Sequence, residues 1–153
     1  MDPRFVLRKI DLNNEEDYAK VKELRKPLLK FAVGDLSKFH DSDVGSDVLL
    51  LELANGEPVA TAYARKEPCG YKIGRLAISP KHEAKGIATD FINYLKQRYT
   101  ESLEPGQYIY FVGFAHLLPW YEKHGAVPIS KPFMNEFFNI PSIEIMYSRP
   151  KGV

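Results

Sequence analysis

The residues with most scope for chemistry lie in one stretch, Leu76-Ala77-Ile78-Ser79-Pro80-Lys81-His82-Glu83-Ala84-Lys85-Gly86-Ile87-Ala88-Thr89. It reads as a strand end, a short loop carrying Lys81, His82 and Lys85, and a helix opened by Gly86 and Ala88, where no bulk stops a ligand approaching the backbone. The start of a helix offers free N–H groups and a partial positive charge, which suits a pyrophosphate. Small residues opening a helix also serve close packing in a β-α-β unit, so spacing alone leaves both readings open. His116, just beyond an apolar run, is a candidate base or a hydrogen-bonded structural histidine. Tyr121 reads on its own residues as a core side chain of a short amphipathic helix. Cys69 sits in a turn without a paired base, which argues against a nucleophile.

Two metal readings are set aside. Asp41, Asp43, Asp47 and Glu52 fall at the spacing of a calcium loop, but the sixth place, where the sharp turn needs glycine, is Ser46. Leu49 to Leu53 also reads as a strand, which would aim Glu52 by sheet geometry. The histidines at 40, 82, 116 and 124 have no zinc spacing. No metal is expected.

The elements that must position these groups follow from periodicity. Residues 5–10 read as a first strand, and Asp11 to Asn14 supplies helix-capping side chains. Tyr18, Val21, Leu24 and Leu28 recur at helical spacing to about Lys26, where Pro27 should end or kink the helix. The polar stretch Ser37 to Asp47 shows no period. Val48 to Ala54 and Pro58 to Arg65 flank Asn55-Gly56, a pair suited to the positive φ angles of a tight hairpin. Glu67 to Gly70 then turns the chain into Tyr71 to Ser79, giving three successive antiparallel strands. Gly86 to Tyr99 reads as a helix with Ile87, Phe91, Leu95 and Tyr99 on one side. Tyr108 to Phe114 is apolar on both alternating faces, as in a central strand covered by helices. A strand, a helix and a buried strand imply a right-handed crossover and a parallel pair. Leu117 to His124 is a short helix closed by Gly125, and Ala126 to Ile129 and Ser142 to Ser148 are final strands around a proline-flanked loop. The class is α/β with a mixed sheet, read as a single domain over residues 1–153.

Composition excludes other classes. With 153 residues, 44% apolar and 27% charged, the chain can bury a core and is neither disordered nor fibrous. Lys plus Arg number 21 against 20 Asp plus Glu, so a net charge of +1 gives no field for gathering nucleic acid. The longest apolar run, Tyr108 to Ala115, is too short to span a bilayer, and no apolar leader follows the amino terminus. With a single cysteine, these features lead us to expect a cytoplasmic protein that needs no membrane.

Two segments together resemble the GNAT superfamily of N-acetyltransferases. Glu83-Ala84-Lys85-Gly86-Ile87-Ala88 is similar to its acyl-CoA-binding motif, and Ala115-His116-Leu117-Leu118-Pro119-Trp120-Tyr121-Glu122-Lys123-His124-Gly125 to its second motif, an aromatic-Tyr-Glu-Lys run ending in glycine. The Ala-His-Leu opening and the later Ile140-Pro141-Ser142-Ile143-Glu144-Ile145-Met146 look most like the ElaA-type branch. The resemblance implies a GNAT-like mixed, mostly antiparallel sheet with a central splayed parallel strand pair and helices on both faces. It also implies acetyl-CoA as acyl donor and a small primary amine as acceptor. Backbone N–H groups from about Lys85 through Gly86, Ile87 and Ala88 to Thr89 would hold the pyrophosphate. The edge of Leu76, Ala77 and Ile78 would bind the pantetheine arm as an added strand would, with a backbone N–H near Ile78 facing the oxyanion. Tyr121 would protonate the departing thiolate.

Three positions depart from the pattern. Glu83 stands where a basic or amide residue is usual and must point away from a pyrophosphate, with Lys81, His82 and Lys85 to offset it. Ser142 replaces a usual histidine, and Ala126 a usual aromatic. Glu83 and Ser142 keep a second reading open, a non-catalytic GNAT-fold module that binds CoA or a protein partner. The proline-bounded loop carries Phe133, Met134, Phe137, Phe138 and Ile140. These are expected to fold into the core, to wall an acceptor pocket through Phe133, Phe137 and Phe138, or to meet a second subunit in a homodimer.

Overall fold

The computed structural model describes residues 3–135 and 137–147, less the side chains of Ala84 and Lys85. All its strands join one mixed sheet in the order β1-β2-β3-β4-β5-β8-β6, with β7 paired to β8 off that path. These are β1 (Phe5–Lys9), β2 (Asp47–Leu53), β3 (Pro58–Glu67), β4 (Gly70–Ile78), β5 (Tyr108–Phe114), β6 (Ala126–Pro128), β7 (Phe133–Met134) and β8 (Pro141–Tyr147). Every pairing is antiparallel except β4 with β5.

Helices cover both faces because β2 alternates between two apolar sets. Val48 and Leu50 pack with Val21 and Leu24 of α1 (Glu15–Leu29). Leu49 and Leu51 belong to the larger core with Ile87, Phe91, Ile92 and Leu95 of α2 (Ile87–Thr100). Leu118, Trp120 and Tyr121 of α3 (Leu118–Lys123) border that same core.

Several expectations are refined. Helix α1 does not stop at Lys26 but runs through Pro27 to Leu29. Near a helix end, proline removes only one hydrogen bond, and its fixed φ is already helical. The β2–β3 hairpin is wider than a two-residue turn: among its residues only Gly56 has positive φ, +89°, and the N–H of Leu53 donates to the carbonyl of Glu57 at 2.9 Å. Strand β7 lies in the stretch expected to be loop, and Ser148 lies outside the described residues.

The polar stretch without a period contains the most deeply buried charges. Asp43, in a 3-10 turn (Asp41–Asp43), takes two hydrogen bonds of 2.7 Å from Arg25, and both side chains are 0% exposed. Tyr18 donates to Asp43 at 2.5 Å, and His40 Nδ1 lies 2.9 Å from the Arg25 guanidinium. Burial pushes the Asp43 carboxyl up, but the Arg25 and Tyr18 hydrogen bonds and the Arg25 charge outweigh it and hold it below the ordinary range. Asp47 and Glu52, two other carboxylates of the calcium-like spacing, bind Lys9 and Arg8 instead. Arg25→Met should cost about 3–5 kcal/mol by stranding Asp43 as a buried charge. Denaturant unfolding measures this, and the double variant Arg25→Met, Asp43→Leu should recover most of the loss.

Candidate active site

Strands β4 and β5 hold parallel register only from Gly70↔Tyr108 to Ile73↔Phe111. Directly beyond, β4 carries a bulge against β3: Thr61 faces Ala77 and Tyr63 faces Gly74, so Arg75 and Leu76 oppose one residue. Arg75 has φ +51°, the single positive φ among described non-glycine residues. Such a bulge bends and twists its strand. Here β4 leaves β5, opening a cleft of about 470 Å³ between them. Beyond Ile73 no described strand pairs with the β5 side of β4, and of Leu76, Ala77 and Ile78 only Leu76 lines the cleft.

Tyr121 lines the cleft from α3. A Cβ built on Gly113 would lie 2.5 Å from its hydroxyl oxygen, so this strand glycine lets the phenol rest against the β5 backbone. Burial pushes the phenol's pKa up to about 12, so the group is protonated at neutral pH and able to donate. No described residue takes a hydrogen bond from it. Gly113→Ala should push the Tyr121 ring out of place, with an overpacking cost of about 1–3 kcal/mol that a melting curve measures.

At the start of α2, Gly86 has φ +71° and no side-chain cap closes the helix. Asp90 makes the first turn's bond, N–H to the Gly86 carbonyl at 3.2 Å, leaving the N–H groups ahead of it without intrahelical acceptors. Positive φ is thus a reason for glycine at 86 independent of any ligand. Thr89 Oγ1 lies 3.4 Å from His124 Nε2, tying the start of α2 to the end of α3. Glu83 is exposed. Lys81 and the buried His82 turn toward Glu57, at 3.7 and 3.9 Å. The Lys85 side chain lies outside the described residues. His116 is exposed, stacks on Phe114 with ring centroids 5.9 Å apart, and is not in the cleft lining.

The aromatic loop is divided between core and cleft. Phe133, Phe137 and Phe138 all line the cleft. Phe138 is buried, Phe137 half-buried and Phe133 exposed at the rim. The bulge and the loop are fastened together, since the Arg75 guanidinium lies 4.5, 4.9 and 5.5 Å from the ring centroids of Phe39, Phe137 and Phe138. Backbone bonds from Val33 to Phe137 and from Asn139 to Phe31, each 2.9 Å, anchor the loop beside α1.

Lining residues that the sequence does not mark as a site include Lys72, Arg75, Gly113 and Glu144. A lone glycine within the apolar run Tyr108 to Phe114 is the one signal that marks Gly113. The other three are charged residues in strands, a pattern shared by any solvated face.

No protein-family model and no curated protein matches the sequence. Solved structures do. Escherichia coli ElaA aligns over 94% of this chain and 99% of its own with TM-score 0.74 and 18% identity. An acyl-CoA N-acyltransferase from Pseudomonas aeruginosa aligns over 94% and 98%, with TM-score 0.70 and 21% identity. Spermidine N-acetyltransferase from Vibrio cholerae, in complex with CoA and spermine, aligns over 98% of both chains, with TM-score 0.69 and 14% identity. The splayed parallel pair, the helices on both faces and these alignments agree: the chain has the fold of the GNAT acetyltransferases.

Proposed function

We propose that this chain is an N-acetyltransferase that moves an acetyl group from acetyl-CoA to a primary amine by direct attack in a ternary complex. The observation that carries the reading is the splay itself, lined by Leu76 of the unpartnered β4 edge and by the protonated phenol of Tyr121. The uncapped start of α2 is tied through Thr89 to His124 at the end of α3, the helix that carries Tyr121. In this reading the N–H groups at 86–89 bind the pyrophosphate. The edge at 76–78 receives the pantetheine arm, and a backbone N–H there faces the carbonyl oxygen as negative charge develops. The amine nitrogen forms the C–N bond, the C–S bond breaks, and Tyr121 gives its proton to sulfur while the nitrogen sheds its own to solvent. No covalent enzyme intermediate is formed. Phe133 and Phe137 wall the acceptor side, which favours an amine with an apolar or aromatic body. The CoA bound by the Vibrio cholerae enzyme of the same fold supports CoA as the donor's carrier.

Thiol release from acetyl-CoA across a panel of primary amines, run after CoA binding has been demonstrated by calorimetry, tests the proposal. Amine-dependent release is expected. CoA binding with no release for any amine would favour the non-catalytic module, which the exposed Glu83 near the helix start and Ser142 suggest.

A further inference from the structure

We propose that Glu144 receives the ammonium group of the acceptor, so that the cleft selects cationic amines by charge as well as by their apolar body; this rests on the acetyltransferase reading above. Glu144 lies on β8 in register with Val112 of β5 and lines the cleft half-buried. Its backbone is fixed from the loop side, since its N–H donates to Ser130 Oγ and its carbonyl accepts from the N–H of Ile129, both at 2.9 Å. Its carboxylate makes no hydrogen bond or ion pair with any described residue. Taking a carboxylate partly out of water without a cation is costly, and a ligand ammonium supplies that cation.

Of the cations on this face, Arg75 and Arg65 have partners of their own, and Lys72, which also lines the cleft, forms no ion pair with Glu144. Arg75 lies over the rings of Phe39, Phe137 and Phe138. Arg65 donates to the Ser42 carbonyl at 2.8 Å and to Ser46 Oγ at 3.2 Å. Lys72 stands at the closed end of the splay, in register with Tyr110, whose hydroxyl donates to Glu67 at 2.7 Å. Two carboxylates, Glu67 and Glu144, therefore border the Tyr110 phenol, and both push its pKa up after the larger effect of burial. Glu144 is the one of the two that lines the cleft. Val112, on the wall of the splay, is one strand spacing, about 4.8 Å, from Glu144. A nitrogen held at Glu144 is thus close to where the thioester enters, which it attacks after the ammonium has given its extra proton to solvent, with Phe114, Phe133 and Phe137 around its apolar body.

The test is a binding measurement that needs no turnover. Protein saturated with CoA is titrated with 2-phenylethylammonium and with its uncharged counterpart 2-phenylethanol. Wild type should bind the ammonium at least about tenfold more tightly than the alcohol. Glu144→Gln should bring the two within about twofold at unchanged CoA affinity, and Glu144→Asp should keep part of the preference. A preference that survives Glu144→Gln overturns the assignment, as does a wild type without any preference. Failure of wild type to bind CoA would instead remove the acetyltransferase reading itself. Should Glu144→Gln lose the fold, a crystal of wild type with CoA and 2-phenylethylammonium decides the matter. Nitrogen within hydrogen-bond distance of a Glu144 oxygen supports the assignment, and nitrogen elsewhere overturns it.

Discussion

Tyr121→Phe should lower kcat by about a hundredfold or more while leaving the affinity for CoA within about twofold. The phenol contributes through a proton delivered as the C–S bond breaks, so removing the oxygen acts on the transition state and spares ground-state binding. Phenylalanine keeps the ring against Gly113 and Trp120, so the fold should be untouched. Because burial pushes the Tyr121 pKa up to about 12, the acid form persists as pH rises, and this group causes no alkaline fall in wild-type kcat below about pH 10. Single-turnover thiol release as a function of pH measures both features. An unchanged chemical step in Tyr121→Phe would make the residue structural.

Ala88→Glu should weaken CoA binding by at least about a hundredfold. Ala88 is half-buried in the first turn of α2, where the helix start offers N–H groups and partial positive charge. A glutamate there adds bulk on the ligand's path and a negative charge against a pyrophosphate, two penalties that act together. The substitution is cleaner than one at Gly86, whose φ of +71° strains any side chain whatever the ligand. Negative charge in a first turn favours the helix itself, so the melting temperature should hold or rise slightly while CoA affinity falls. Calorimetry with CoA, beside thermal unfolding, separates these. Undiminished affinity in the folded variant would move the phosphate site off this helix.

The sequence discloses the site's frame better than its detail. Helix α2 and strand β5 are legible because Ile87, Phe91, Leu95 and Tyr99 repeat on one face and Tyr108 to Phe114 is continuously apolar, so the crossover and parallel pair follow. The bulge that opens the cleft is not. Ile73-Gly74-Arg75-Leu76 alternates smoothly, and nothing local announces positive φ at an arginine, a conformation rare outside glycine, asparagine and aspartate. Arg25 and Asp43 are likewise hidden: each looks like a solvated surface charge, and they meet only once α1 and the 3-10 turn are folded against each other. Glu144 is concealed for a related reason. Between Ile143 and Ile145 a single charge has the pattern of any solvated strand face, whereas β8 lies between β5 and β6 and Glu144 borders the cleft. The aromatic loop could be read as apolar but not apportioned, since the division among Phe133, Phe137 and Phe138 depends on Phe39 and Arg75 from distant segments.

If the splay between β4 and β5 is the acetyl-CoA channel, a crystal structure of the protein with acetyl-CoA should show the pyrophosphate on the N–H groups at 86–89, the pantetheine along the β4 edge at 76–78, and the thioester sulfur within hydrogen-bond reach of the Tyr121 hydroxyl. Acetyl-CoA bound anywhere else, or lying in the splay with its sulfur turned away from Tyr121, would contradict that assignment.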